Sequence, residues 1–444
     1  MTKAGWASCD ITPPLGLPMG GRGPRFAAGT EIVDPLQAGV IVLEDNKGQR
    51  IVLLSLDLVG IGLQQSERLC YQIAAAVGTN PQTVIINASH THSGPMMAFE
   101  QYATLKPKPP EMLQYEQRLE DQLLHLAIDA AKNMQEVQVF WRDGNSEIGI
   151  NRRVKTNDGV VMAPNPEGHY HRQLWTLELK PTDSESPGCV LFSHACHPVI
   201  FYSYNWTGIT SEWPGRARRA LRAELGEGVH CQFMQGLAGN IRPRILSDFE
   251  NNTFRKSIPE DVELTGQQIA NDVLQTLAKD AEPLSLQLSA VRGWFVAQRG
   301  AAKPREHWEE LQHSDDELSQ ELGQYWLTRF GENAIAPYSA QPWPIGLVRF
   351  TPEHALVYVA GEPLCEWYEI FQKALPNQKL VACGYTHASA SYLPTDALLS
   401  EGGYEIDRSP QYSKSGPGVL QPGLDETVTK SLHQLQAAID DGVD

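Results

Sequence analysis

The sequence predicts an α/β protein with a mixed β-sheet core flanked by helices. Short β-branched apolar runs of strand length alternate with longer segments of helical period. Several connections are too short to hold a crossover helix, so the strands cannot all be parallel. No Pro/Gly/Ser-rich linker or low-complexity run interrupts the pattern, so residues 1–444 are expected to form a single domain.

Gly39 to Leu43, Ile51 to Leu58 and Thr83 to Ile86 read as strands, and Gln65 to Val77 as a helix between the second and third. Glu111 to Met134 predicts a long helix, because Leu113, Tyr115, Leu119, Leu123, Leu124 and Ile128 recur at near-helical spacing. Strands follow at Val137 to Trp141, Leu174 to Leu179, Val190 to Phe192 and Cys231 to Met234. Pro214 suits the first turn of a helix capped by Ser211 or Glu212. The charged stretch 303–330 has a helical pattern and reads either as an insertion or lid, or as an ordinary surface helix. Beyond it, Leu347 to Phe350, Leu356 to Val359 and Leu380 to Cys383 are strands, and Asp425 to Ile439 is a terminal helix.

Composition narrows the function. A chain of 444 residues, 41% hydrophobic and 20% charged, can bury a large core. The net charge of −17 argues against nucleic acid or an anionic membrane surface as partner, since both demand clustered Lys and Arg. The local run Arg216, Arg218, Arg219 and Arg222 reads as the solvated face of a helix. The seven cysteines are scattered and without CxxC spacing, which describes neither a disulfide framework nor a zinc ribbon and implies a reducing compartment. The N-terminus lacks an apolar leader and no segment has membrane-spanning length, so the expectation is a cytoplasmic protein with no integral membrane segment.

Four places carry chemistry. In Ser89-His90-Thr91-His92-Ser93-Gly94-Pro95, two imidazoles follow an apolar strand two residues apart. In extended chain both rings face the same side, one as a metal ligand and the other as an acid/base, although two polar residues capping a strand would look the same. In Ser193-His194-Ala195-Cys196-His197-Pro198 the side chains alternate in direction, which favours His197 as a ligand and Cys196 as a small buried hydrophobe. In Ala360-Gly361-Glu362-Pro363 a carboxylate emerges at a Gly turn, as a ligand or as a helix-initiating glutamate. Ser391-Tyr392-Leu393-Pro394-Thr395 lies in a polar loop after another strand. Asp57, at the end of a central strand, reads as a partner for a ligand histidine or as a turn cap.

Taken in order with Gly5-Trp6-Ala7, Asp10-Ile11-Thr12-Pro13-Pro14, Asp34-Pro35-Leu36, Ser55-Leu56-Asp57-Leu58 and Gly402-Gly403-Tyr404-Glu405, these motifs make the chain resemble the neutral/alkaline (non-lysosomal) ceramidase superfamily, in its N-terminal catalytic domain. The resemblance implies a zinc ion held by His90, His197, Glu362 and Tyr392, with His92 and Arg152 assisting catalysis. Two imidazoles, a carboxylate and a weak phenolic ligand suit zinc and leave a coordination position for water or substrate. His92 would then shuttle the proton, while Arg152 and Tyr392 stabilise the developing oxyanion.

Two departures point to a relative rather than a ceramidase proper. Where the family carries a serine in a Gly-Asp-Val-Ser-Pro-like segment, this chain reads Gly239-Asn240-Ile241-Arg242-Pro243. Arg242 either binds a carboxylate, phosphate or other polar substituent on the substrate, or turns away into a salt bridge. The chain also stops soon after its terminal helix, where no C-terminal immunoglobulin-like domain is expected. The leading expectation is therefore a zinc-dependent amidohydrolase acting on a linear amide or small N-acyl amine. True ceramide hydrolysis is the alternative, and a metal-retaining protein that binds an anionic ligand without hydrolysis is a third reading. Sugar deacetylation, with Tyr202, Trp206 and Trp213 stacking on a sugar, is a variant of the first.

Overall fold

Strands that are apolar on both faces need cover on both sides, and the fold provides it in four layers. The computed structural model describes residues 1–21, 26–183, 185–331 and 340–442. Within them, the larger sheet is built from β1 (Lys3–Asp10), β2 (Gln37–Glu44), β3 (Arg50–Leu56), β4 (Val84–Ala88), β5 (Gln135–Asn145), β8 (Gln173–Pro181), β9 (Cys189–His194) and β10 (His230–Gln235). Between β5 and β8 runs the hairpin of β6 (Gly149–Thr156) and β7 (Gly159–Asn165), whose β6 also pairs with the short β11 (Ile241–Pro243). The spatial order of the larger sheet is β10-β9-β8-β5-β1-β2-β3-β4. Only its two edge pairs, β3 with β4 and β9 with β10, are parallel. The second sheet is β12 (Ser289–Gln298), β13 (Ala340–Thr351), β14 (His354–Val359) and β16 (Lys379–Cys383), with β14 and β16 parallel. A two-stranded ladder joins β15 (Glu362–Pro363) to β17 (Tyr392–Leu393).

Period-two alternation decides what each residue touches. Val40, Val42, Val52, Leu54, Val84 and Ile86 pack under helices α1 (Leu63–Val77) and α2 (Pro110–Lys132). Their neighbours Ile41, Leu43, Ile51, Leu53 and Ile85 point the other way, onto Leu356, Tyr358 and Val381 of the second sheet. The β9/β10 end of the larger sheet is covered by α3 (Glu212–Leu225) and α4 (Pro259–Leu277). The outer face of the second sheet is covered by α7 (Trp367–Ala374) and α8 (Leu424–Asp440). The stretch 303–330 forms the packed pair α5 (Arg305–Gln312) and α6 (Glu317–Phe330), with Trp308 and Trp326 buried between them.

Three expectations are corrected. Arg216 and Arg218 are not a solvated face: both are buried, ion-paired to Asp34 and Asp57 respectively, because α3 lies against the loops that precede β2 and follow β3. Asp57 thus partners Arg218 and the Gln37 N–H rather than a histidine. Ser211 stands at the N-terminus of α3 without capping it, its hydroxyl being donated to Asp34.

Candidate metal centre and active site

The carboxyl ends of the three parallel pairs meet at one place, where side-chain amides join them. The Asn87 amide accepts the Gln235 N–H at 2.8 Å and donates to Gly384 O at 2.8 Å, tying β4 to β10 and to the end of β16. Gln235 donates to Ser89 O at 3.0 Å and to Cys196 O at 2.9 Å, the carbonyls just before His90 and His197. The backbone is strained here: His90, Tyr385 and His387 have φ of 67°, 53° and 64°, a region side chains other than glycine rarely adopt. Gly361, at φ 73°, permits the turn into Glu362, since a Cβ there would stand 2.4 Å from the Trp343 ring.

His90, His197 and Glu362 converge. Both Nε2 atoms face the same carboxylate oxygen of Glu362, at 3.4 Å from His90 and 3.3 Å from His197. His90 Nδ1 lies 2.6 Å from Val59 O, and His197 Nδ1 lies 2.6 Å from Ala238 O. A carbonyl only accepts, so each neutral ring carries its proton on Nδ1 and turns a lone pair inward on Nε2, the state a metal ligand requires. Burial, partly offset by Glu362, brings His197 down to about 4, which keeps it neutral at physiological pH. Burial opposes the charge of Glu362, but the rings of His90 and His197 outweigh it and hold the carboxyl well below the usual range.

His92 joins this group. His90, His92 and His197 offer ring nitrogens within 4.8 Å of one another, and the Nε2 atoms of His90 and His92 are 3.0 Å apart. Tyr202 stacks on His92 with ring centroids 5.7 Å apart, so this tyrosine belongs to the site, whereas Trp213 is core. The β15/β17 register sets Tyr392 directly opposite Glu362. Arg152 donates to the Tyr392 hydroxyl at 3.1 Å and to Glu405 at 2.8 Å, while Arg153 holds the other Glu405 oxygen at 2.7 Å. Burial works against the Arg152 charge, but Tyr392 and Glu405 raise it well above its ordinary value. Burial and the Glu362 carboxylate push the Tyr392 phenol well up, so it is a neutral donor.

The donor set fits a divalent cation. Two inward lone pairs converge on the Glu362 carboxylate, with Tyr392 opposite it in the ladder, and a buried carboxylate needs positive charge beside it. Arg242 is half-buried and, among the described residues, pairs with no carboxylate; it lies over the Phe254 ring at 4.8 Å. Glu405, Gln235 and Tyr385 had no assigned role in the sequence reading. The Tyr385 hydroxyl is buried without a hydrogen-bond partner among the described residues, its ring 4.3 Å from that of His90. A tyrosine just past the strand ending at Cys383 was the available signal.

A cavity of about 290 Å³ opens from His90, His92 and Glu362. Its walls include Val59, Ala98, Leu318, Ala390, Tyr404 and Tyr412. Leu318 belongs to α6, so the pair α5/α6 forms part of the pocket rather than a remote surface.

Comparison with solved structures places this architecture. The crystal structure of neutral ceramidase from Pseudomonas aeruginosa superposes with a TM-score of 0.74 at 17% identity, covering 99% of this chain and 74% of that one. A structure described as ceramidase complexed with C2 gives a TM-score of 0.72 at 16% identity, covering 99% and 75%. No family model and no curated protein sequence matches the chain. The chain therefore shares the fold of about three quarters of these ceramidase structures, the mixed α/β architecture its motifs imply.

Proposed function

We propose that this protein is a zinc-dependent amidohydrolase that cleaves a linear amide or small N-acyl amine. The observation that carries the reading is the convergence of His90 and His197 Nε2 on Glu362, with both Nδ1 protons committed to backbone carbonyls. In the proposal His90, His197, Glu362 and Tyr392 hold the ion. When bound, zinc supplies a Lewis acid that brings the pKa of water from about 15.7 toward about 7.

The chain's own groups do the rest. His92, which lines the cavity beside His90, accepts a proton from the attacking water, then returns it to the leaving amine. Tyr202 stacked on its ring keeps that orientation. Arg152, fixed by Glu405, polarises the Tyr392 hydroxyl toward the oxygen on which charge develops, and the unpartnered Tyr385 hydroxyl supplies a second donor. The cavity lies at the small end of the roughly 300–1,000 Å³ range of small-molecule sites, which favours a short acyl group over the long chain of ceramide. No helix among the described residues is long and apolar enough to cross a membrane.

The test is amine release from a panel running from short N-acyl amino acids to long-chain ceramides, with the metal content of the protein measured alongside. Turnover that a chelator abolishes and zinc restores, and that Glu362→Ala removes together with bound zinc, is expected. Turnover confined to ceramides would make the protein a ceramidase proper. Zinc binding without turnover of any amide would refute the hydrolase reading.

A further inference from the structure

Arg242 sits one residue beyond Ile241, whose carbonyl lies 3.1 Å from His197 Nδ1, and it pairs in β11 with Ile150, two residues before Arg152. It is therefore fixed to the backbone that builds the metal centre. Its cross-strand partner Ile150 and the Arg152 that follows belong to the strand that carries the Glu405 and Tyr392 contacts, and among the described residues no carboxylate pairs with Arg242.

The other contacts of the Arg242 guanidinium are weak. One Nη donates to the Met162 sulfur at 3.4 Å, the plane lies over the Phe254 ring, and Nε is buried with no hydrogen-bond partner among the described residues. Thioether sulfur is a poor acceptor, and a half-buried guanidinium without an anion is costly. Every other arginine that the structure buries near the site has a specific acceptor: Arg152 and Arg153 have Glu405, and Arg299 has Gly418 O, Gln341 and Ser391. Among the described arginines of the site, Arg242 alone keeps its fork open.

We propose that Arg242 is the substrate-recognition residue of this site, and that the substrate is an N-acyl compound whose amine portion carries a carboxylate, as in an N-acyl amino acid. The inference rests on the amidohydrolase reading only for the bond broken. Arg242 does not line the apolar-walled cavity; in the proposal the acyl group occupies that cavity and the carboxylate lies outside it, against the Arg242 guanidinium. A single free guanidinium matches a carboxylate by two parallel N–H···O bonds, and no second uncommitted cation is present among the described residues of the site to favour a phosphate.

The experiment measures binding by calorimetry to protein as purified, and separately turnover, with N-hexanoylglycine and its neutral isostere N-hexanoylglycinamide. Wild type, Arg242→Met and Arg242→Lys are compared, with melting temperatures recorded. The acid is expected to bind wild type about ten- to a hundredfold more tightly than it binds Arg242→Met, the isostere equally to both, with Arg242→Lys intermediate. Arg242→Met should melt no lower than wild type, because an unpaired charge is removed and the methionine fills its space. Equal discrimination of acid and amide by wild type and Arg242→Met overturns the proposal, as does a large loss of melting temperature with the acid preference intact, which would make Arg242 structural. Acid-selective binding that depends on Arg242 without turnover upholds the recognition role while refuting amide hydrolysis. O-phosphoryl N-hexanoylethanolamine binding more tightly than the glycine conjugate would refute the carboxylate.

Discussion

Glu212 gives the protein a pH-dependent stability that one substitution isolates. Its side chain is wholly buried at the start of α3, where its oxygens accept the Phe201 N–H at 2.5 Å and the Trp213 N–H at 2.9 Å. Burial pushes the carboxyl up to about 7, those backbone donors offsetting only part of the cost. The folded chain thus holds the proton more tightly than the unfolded one. The associated stability is complete below the ordinary value of 4.5 and is lost as pH rises through about 7. At 1.36 kcal/mol per pH unit the loss is about 3 kcal/mol. For a chain of 444 residues, an unfolding entropy of about 2.1 cal/mol/K per residue converts this to about 3 °C in melting temperature. Scanning fluorimetry of wild type and Glu212→Gln between pH 5 and 8.5 should show the difference between them moving by that amount in favour of the variant as pH rises. A difference that stays constant with pH would refute the argument, because glutamine removes the titration whatever else it costs.

His92→Ala should keep its bound metal yet lose about 10²–10⁴-fold in kcat, read by steady-state kinetics with metal analysis, since His92 is assigned to proton transfer. Glu405→Gln leaves buried Arg152 without its carboxylate and Arg153 with Glu401 alone, which should cost about 3–5 kcal/mol by denaturant unfolding and lower activity through Arg152. Leu318→Trp narrows the cavity beside α6 and should shift acyl preference toward shorter chains, each excluded methylene weakening kcat/KM about fourfold.

Much of the site was legible because chemistry leaves residue types at strand ends. His90, His197 and Glu362 each follow an apolar strand, and the structure brings all three within hydrogen-bonding distance of one point. The doubly buried strands were equally visible as continuous apolar runs. What escaped the sequence was pairing between distant loops. Arg216 and Arg218 read as exposed because nothing local announces that Asp34 and Asp57 neutralise them. β1, with its mixed sequence KAGWASCD, shows no clean alternation because both faces are covered, Ala7 and Cys9 under α2 and Ala4 and Trp6 against the inter-sheet core. Tyr385 and Gln235 are ordinary residue types whose importance lies only in which carbonyls and rings surround them.

The amide knot of Asn87 and Gln235 has a consequence for when this chemistry becomes available. The two histidines and the glutamate come from three separate strand pairs in two sheets, held in register by those two side chains. A nascent or half-assembled chain has neither the three ligands at one point nor the walls of the pocket. The three ligands thus stand at one point only in the fully assembled fold, so anything that unpairs either sheet end disperses them.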